Sequence, residues 1–229
     1  MLKIARRLFT PCLWSYTSDE LGLGQLTYSQ FGEDILIRDF FRKKPVGVYV
    51  DVGAFHPIYY SNTYALYKLG WSGLAIDANG GLEKLYRRFR PRDRFIHAAV
   101  GQSEGKAQFV HFAHGQFDRL QEFVNEVPQQ FRTGERTTEV NIRRLDRILA
   151  SSEVTNIDFL NIDCEGSDLK ILLSVDLTIV RPSLICLEDL SADWMVSPLV
   201  RALAENDYAV CGRCGFSTLF FDCKRPLER

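Results

Sequence analysis

The chain has 229 residues, of which 46% are hydrophobic, and its 28 basic and 29 acidic side chains give a formal net charge of −1. A charge so close to zero argues against a protein devoted to nucleic acid, and no apolar run approaches the roughly 18 residues that span a membrane. The length suits one sizeable domain with a core of its own.

Residues 1–27 form an N-terminal extension that begins with basic side chains and lacks the apolar block of a signal peptide. We expect a single domain at 28–229. The six cysteines include a CxxC pair, Cys211 and Cys214, but no second pair or histidines complete a zinc site. The cysteine usage favours a reducing, cytoplasmic environment.

Apolar runs bounded by turn residues alternate with segments of helical periodicity. A capped helix is predicted within 28–41. Strands are predicted at 46–52, 73–77, 94–100, 157–163 and 183–189, and helices at 63–69, 82–89, 145–150, 169–174 and 193–206. Strands that are apolar on both faces are typical of a parallel sheet covered on both sides, so the alternation predicts a doubly wound, mostly parallel α/β sheet.

Two regions depart from this alternation. Near the end of the chain, residues 208–212 and 217–222 predict a hairpin that adds antiparallel strands to the sheet. Residues 113–136 read as an insertion, predicted to be a lid or substrate-binding segment, in which "FDRLQEFV" has the pattern of an amphipathic helix. Three phenylalanines in the insertion predict either an interface or the small core of a lid (Phe117, Phe123 and Phe131).

The turn after the first strand, in "VYVDVGAFHPIYYSNT", is the first candidate for function. In a doubly wound sheet, ligands bind beyond the carboxyl ends of the strands. Gly53 and Ala54, which follow Asp51, leave room for the close approach of a ligand. The alternative is that these small residues simply form a tight turn between strand and helix.

The residue at the end of the second strand favours the ligand-binding interpretation of the turn after the first strand. Asp77 closes "GLAID", where an acidic side chain can accept hydrogen bonds from ribose hydroxyls. The G-x-G-x-x-G pattern of dinucleotide sites is absent after Gly53, which weakens the hypothesis of a nicotinamide-dependent oxidoreductase or a flavin enzyme. A nucleoside cofactor without a pyrophosphate fits better, and S-adenosylmethionine is the common one.

Several blocks together resemble the FkbM-type methyltransferases, in the order "YSQFGEDILI", "VDVGAFHPIYYSNTYALYKLGWSGLAIDAN", "AAVGQSEGKAQF", "RRLDRIL", "FLNIDCEGSDLKILLSVD" and "RPSLICLE". The resemblance covers residues 28–189. It implies a Rossmann-like, S-adenosylmethionine-dependent enzyme that methylates hydroxyl groups of sugars or related metabolites. Its partner would then be a carbohydrate-like small molecule.

The resemblance also assigns roles to residues. The positions that match its cofactor-binding blocks are Gln30, Asp51, Gly53, Ala54, Asp77, Asn79 and Asp163, and the block with Gly32, Glu33 and Asp34 is expected to close over the site. Asp163, Glu165 and Gly166 match an Asp-x-Glu-Gly motif. Ser167 and Asp168 stand where many members have His-Glu, which removes one candidate acid, base or ligand.

Asp163 and Glu165 are the candidate catalytic residues, since they follow the fourth strand at the expected edge of the sheet. Residues two apart in an extended segment face the same side. One carboxylate then acts as a base for the acceptor hydroxyl, or the two share a divalent cation such as Mg²⁺. The alternative is that Asp163 caps the next helix and Glu165 faces solvent.

His56, His114 and Glu188 are weaker candidates for substrate contact, each with a purely structural alternative. The arginine-rich stretch 87–94 predicts a solvated helix end or a salt-bridged face or, alternatively, a patch that attracts an anionic acceptor. The leading hypothesis is an O-methyltransferase, and the alternative is an inactive module that keeps the cofactor pocket. No pattern in the sequence indicates the oligomeric state.

Overall fold

The computed structural model describes residues 26–152, 154, 156–164 and 166–225. Residues 1–25 of the predicted extension and the predicted catalytic Glu165 lie outside the described residues. The strands are β1 (Val48–Val52), β2 (Ser72–Asp77), β3 (Arg94–His97), β4 (Ala99–Val100), β5 (Gly105–His111), β6 (Arg119–Leu120), β7 (Arg136–Arg143), β8 (Phe159–Ile162), β9 (Leu184–Glu188), β10 (Tyr208–Cys214) and β11 (Ser217–Asp222). The helices are α1 (Glu33–Phe40), α2 (Tyr64–Lys68), α3 (Glu83–Phe89), α4 (Leu145–Ser151), α5 (Asp168–Leu172) and α6 (Pro198–Ala204).

Seven strands form the main sheet in the order β10-β11-β9-β8-β1-β2-β3. The pairs that join β9, β8, β1, β2 and β3 are parallel, whereas β11 is antiparallel to β9 and β10. The predicted α/β class and the C-terminal antiparallel hairpin are therefore confirmed. Strand order reverses between β1 and β8, which is the position where open sheets of this kind bind ligands.

Helices cover both faces of the main sheet. Along β1, Val50 and Val52 face a core that also contains residues of α4, α5 and α6. Tyr49 faces the opposite way, into a core shared with α1 and α2, and α3 packs nearby through Tyr86, with Leu82 directly before the helix. None of the helices in the described part of the chain is long and apolar enough to cross a membrane.

A second, four-stranded sheet has the order β4-β7-β5-β6 and is built on the antiparallel β5–β7 pair. The single strand predicted at 94–100 is wrong, because the Ala98 N–H bonds to the Asp77 carbonyl and the next two residues pair with β7 instead. The helix predicted from "FDRLQEFV" is also wrong. Pairing of β6 with β5 overrides the helical pattern there, and Gln121–Glu126 forms a 3₁₀ helix.

Candidate functional site

A cavity of about 340 Å³ opens at the carboxyl ends of β1, β2 and β8. Its walls come from both sheets, since the turns of the main sheet meet side chains of β5, β6 and the insertion. Five of the predicted cofactor residues line it (Gln30, Gly53, Asp77, Asn79 and Asp163). The volume lies in the range of about 300–1,000 Å³ that is typical of small-molecule sites.

Gly53 allows the turn after β1 to pass close to the chain after β8. Its φ is +77°, and a Cβ at this position would lie 1.8 Å from the carbonyl oxygen of Asp163. The Gly53 and Ala54 N–H groups both donate to the Ile76 carbonyl, at 2.9 and 3.1 Å. The glycine is therefore required by contact between two backbone segments, while Ala54 is buried below the cavity.

Asp77 ties the end of β2 to the turn after β1. Its Oδ2 accepts the Phe55 N–H at 2.8 Å, and its Oδ1 accepts the Asn79 N–H at 2.7 Å. The first bond holds Phe55 at a φ of 44°, a conformation that costs a non-glycine residue about 1–3 kcal/mol. Burial raises the pKa of Asp77 to about 6, although both hydrogen bonds favour the carboxylate.

Asp51 lies beneath the cavity and does not line it. Its Oδ2 accepts a hydrogen bond of 2.5 Å from Thr63 Oγ1, and its Oδ1 accepts one of 2.9 Å from Asn161 Nδ2. Asn62, which does line the cavity, donates in turn to Asn161 Oδ1 at 3.0 Å. Burial raises the pKa of Asp51, against the opposing effects of Arg90 and these hydrogen bonds. Asp51 therefore positions polar side chains around the site.

Arg90 is fully buried and ion-paired, so the predicted solvated helix end is wrong at this position, whereas the predicted salt-bridging is present. Its Nη2 donates to Thr63 Oγ1 at 2.9 Å and its Nη1 to Ser61 Oγ at 3.2 Å, while its Nε pairs with Asp93 at 2.6 Å. α3 ends at Phe89, so helical periodicity no longer determines where the next side chain points. Arg90 links the core to the segment 55–63 beside the cavity.

The second sheet and the insertion form another wall of the cavity. Asp118 accepts hydrogen bonds from the Phe112 N–H at 2.8 Å and from Asn79 Nδ2 at 3.3 Å, and its Oδ2 lies 2.9 Å from His111 Nδ1. Burial raises the pKa of Asp118. Apolar and aromatic side chains complete this wall (Phe109, Phe117, Leu120 and Phe123). Phe117 also stacks on Phe131, so the insertion has a small core of its own.

The segment before α1 closes one end of the cavity with Gln30 and Glu33. Asp34, which is fully buried, accepts hydrogen bonds from Thr27 Oγ1 at 2.6 Å and from Ser29 Oγ at 2.9 Å. Glu33 accepts the Phe31 N–H at 2.8 Å. The two carboxylates thus fix the fold of the segment and leave Gln30 at the cavity.

The three candidate substrate residues lie away from the cavity lining. His56 Nδ1 accepts the N–H groups of Ile58 and Tyr59, both at 3.1 Å, and burial lowers its pKa. His114 is exposed and lies edge-on to Phe131. Glu188 ends β9 and lines a separate cleft. The contacts of His56 give it a structural task in its own loop.

A protein-family model described as the Methyltransferase FkbM domain matches residues 51–210, more than half of the chain. The chain belongs to the FkbM methyltransferase family. This match confirms the predicted family. The matched residues include the turn after β1, the end of β2 and the segment after β8.

Two solved methyltransferase structures are similar at low sequence identity. The methyltransferase FkbM from Methylobacillus flagellatus KT is 14% identical with a TM-score of 0.49, over 90% of this chain and 47% of that chain. The second is the 1,6-didemethyltoxoflavin-N1-methyltransferase of Burkholderia thailandensis, solved with 1,6-didemethyltoxoflavin and S-adenosylhomocysteine. It is 11% identical with a TM-score of 0.43, over 96% of this chain and 87% of that chain. The chain thus spans about half the length of the first structure. No curated protein matches the chain.

The described residues of this FkbM methyltransferase contain no cluster of three His, Cys, Asp or Glu side chains that could hold a metal. The Mg²⁺ alternative therefore gains no support from them. The thiols of the CxxC pair lie on β10 and donate to backbone carbonyls, Cys211 to Leu219 at 3.5 Å and Cys214 to Phe31 at 2.8 Å.

Asp118 and the buried Arg119 line the cavity and lie in the predicted insertion 113–136, but neither they nor the second sheet were predicted as parts of the site. A period-two pattern in β7 was the available signal. Val140 is buried, Ile142 packs into the same cluster, and polar side chains alternate with them along the strand.

Proposed function

We propose that the protein transfers the methyl group of S-adenosylmethionine to a hydroxyl oxygen of a carbohydrate-like small molecule. The observation that carries the proposal is the cavity at the carboxyl ends of β1, β2 and β8, with the Asp77 carboxylate at its edge. The family supplies the reaction class and the cofactor. The hydroxyl acceptor rests on the resemblance described above.

The chain offers distinct surroundings for each part of the cofactor. The Asp77 carboxylate would accept hydrogen bonds from the ribose hydroxyls, and an apolar set beside it suits the adenine ring (Ile76, Ala78, Val100 and Phe109). Gln30, Asn62 and Asp163 would hold the polar end. S-adenosylmethionine, when bound, supplies a methyl group on a positively charged sulfur. Carboxylates in the lining, among them Glu33 and Asp163, suit that charge.

Positioning is the main contribution of the protein to a displacement of this kind. Asp163 lines the cavity, and its carboxylate would accept the proton of the acceptor hydroxyl, with Glu165 as the other candidate for that role. The insertion 113–136 would act as a lid that excludes water, since its Phe117 and Phe123 line the same cavity. His56, His114 and Glu188 stay candidates for acceptor contact.

Calorimetry with S-adenosylhomocysteine and labelled methyl transfer to a panel of sugars test this proposal. We expect binding by the wild type, weaker binding by Asp77→Asn, and loss of turnover without loss of affinity in Glu165→Gln. Asp176→Asn, at an exposed site, is the matched control.

The outcomes separate the alternatives. Cofactor binding without transfer to any member of the panel would favour an inactive module that keeps the pocket. Transfer only to nitrogen would contradict the hydroxyl acceptor. Wild-type turnover in Glu165→Gln would remove Glu165 from the catalytic role.

A further inference from the structure

A second cleft, of about 360 Å³, lies beside the cavity at the ends of β8 and β9. The segment after β8 contributes to both spaces. Asp163, Cys164 and Ser167 line the cavity, whereas Gly166 and Asp168 line the cleft. The two spaces are thus neighbours, and a molecule that extends past the edge of this short segment would reach both.

Two buried carboxylates line the cleft with part of their hydrogen-bonding capacity unused. Asp168 and Asp189 are only 3% and 4% exposed. The Cys164 N–H donates to Asp168 Oδ2 at 3.4 Å, and the Ser191 N–H donates to Asp189 Oδ1 at 2.9 Å. Asp168 Oδ1 and Asp189 Oδ2 are buried and have no hydrogen-bond partner among the described residues. Such oxygens are costly unless a ligand donates to them.

The charge of the cleft indicates what kind of donor fits. Glu188 adds a third acidic side chain, and the described residues that line the cleft include no basic one. Burial and the neighbouring Asp163 raise the pKa of Asp168. These carboxylates do not form a metal-binding cluster within the described residues. Arg213 donates to the Asp189 carbonyl at 2.9 Å and not to its carboxylate. An organic cation with N–H groups would supply the donors that both carboxylates lack.

We propose that this cleft binds a protonated amine of the acceptor, held by Asp168 and Asp189. Leu169 and Leu199 line the same cleft and would pack against the apolar face of a ring. The inference rests on the proposed function, because the hydroxyl of the same molecule must reach the neighbouring cavity. It narrows the carbohydrate-like acceptor to an amino sugar.

Saturation-transfer NMR with D-glucosamine and N-acetyl-D-glucosamine tests the proposal, because acetylation removes the positive charge and keeps the ring. We expect the wild type to bind glucosamine and not its acetylated analogue. Asp168→Asn and Asp189→Asn should each weaken glucosamine binding about tenfold, the loss of one charge-assisted hydrogen bond. Asp193→Asn, at an exposed neighbouring site outside the cleft lining, should bind as the wild type does.

The affinity for S-adenosylhomocysteine, measured on the same samples, tests the proposed function separately. If the wild type does not bind S-adenosylhomocysteine, the cofactor site is contradicted, but the glucosamine result is unaffected. Equal binding of the two sugars, binding of neither, or unchanged affinity in both cleft variants would overturn the amine site. If the variants unfold, the comparison of the two sugars on the wild type decides.

Discussion

Arg90→Met removes the guanidinium that connects the core to the segment beside the cavity. Methionine keeps much of the side-chain volume among the rings of Tyr49, Tyr67 and Tyr86, which lie 5.2–5.4 Å from the guanidinium carbon. It leaves the Asp93 carboxylate buried and without its cation, since both side chains of the pair are 0% exposed. The substitution therefore isolates the effect of the charge from that of packing.

The expected loss in free energy of unfolding is about 3–5 kcal/mol, the cost of removing one partner from a buried ion pair. Ser61 and the Pro57 carbonyl also lose their hydrogen bond from Arg90, whereas Thr63 keeps its bond to Asp51. Domains are usually stable by about 5–15 kcal/mol, so the variant should fold but with a much smaller margin.

Urea unfolding measures the loss, with Arg87→Met as the control at an exposed position of the same stretch. The double variant Arg90→Met with Asp93→Asn should recover part of the loss, because it no longer buries an unpaired charge. A loss below about 1 kcal/mol in the single variant, or no recovery in the double variant, would refute the role of the ion pair.

Three further predictions concern the turn after β1. Gly53→Ala should lower the free energy of unfolding by more than the roughly 1–2 kcal/mol that a left-handed conformation costs a residue with a Cβ, because the new Cβ would also meet the Asp163 carbonyl. The control Gly105→Ala, with open space around the new Cβ, should change the melting temperature little. Burial raises the pKa of Asp77 to about 6, so calorimetric affinity for S-adenosylhomocysteine should fall as the pH drops through 6, and Asp77→Asn should bind weakly without that pH dependence. An NMR titration should give His56 a pKa below 6.5, because burial disfavours the charged ring and protonation of Nδ1 would displace the two N–H groups that it accepts. An unshifted value would contradict this placement of the ring.

The main sheet was predictable because its signals are local. The apolar strands β1, β2, β8 and β9 are each bounded by turn residues, and Asp77 ends its strand where the pattern places it. The structure explains why position 53 must be a glycine, which the local sequence pattern does not. The residue that requires it, Asp163, is far away in sequence, and close contact between distant backbone segments leaves no local pattern.

Two features were not predictable for related reasons. Arg90 is buried because Asp93, Thr63 and Ser61 gather around it, and an arginine among other arginines carries no sign of such partners. β6 has two residues and pairs with β5, a tertiary contact that a helical pattern in "FDRLQEFV" conceals. Elements fixed by contacts with other segments therefore escaped prediction, whereas elements fixed by their own periodicity did not.

Because of the position of the segment after β8, the proposed cofactor cavity and the proposed amine cleft are lined by different residues. Gly53 and Asp77 shape the cavity from β1 and β2, whereas the acids of the cleft come from the ends of β8 and β9. Asp168 begins α5 and faces the cleft, while Ser167, its neighbour, lines the cavity. Substitutions at 168 and 189 can thus alter which acceptor is bound while the surroundings of the cofactor stay unchanged. Ser167 and Asp168 are also among the positions at which this chain departs from the pattern that the resemblance implies, so we expect its acceptor preference to differ from that of its relatives.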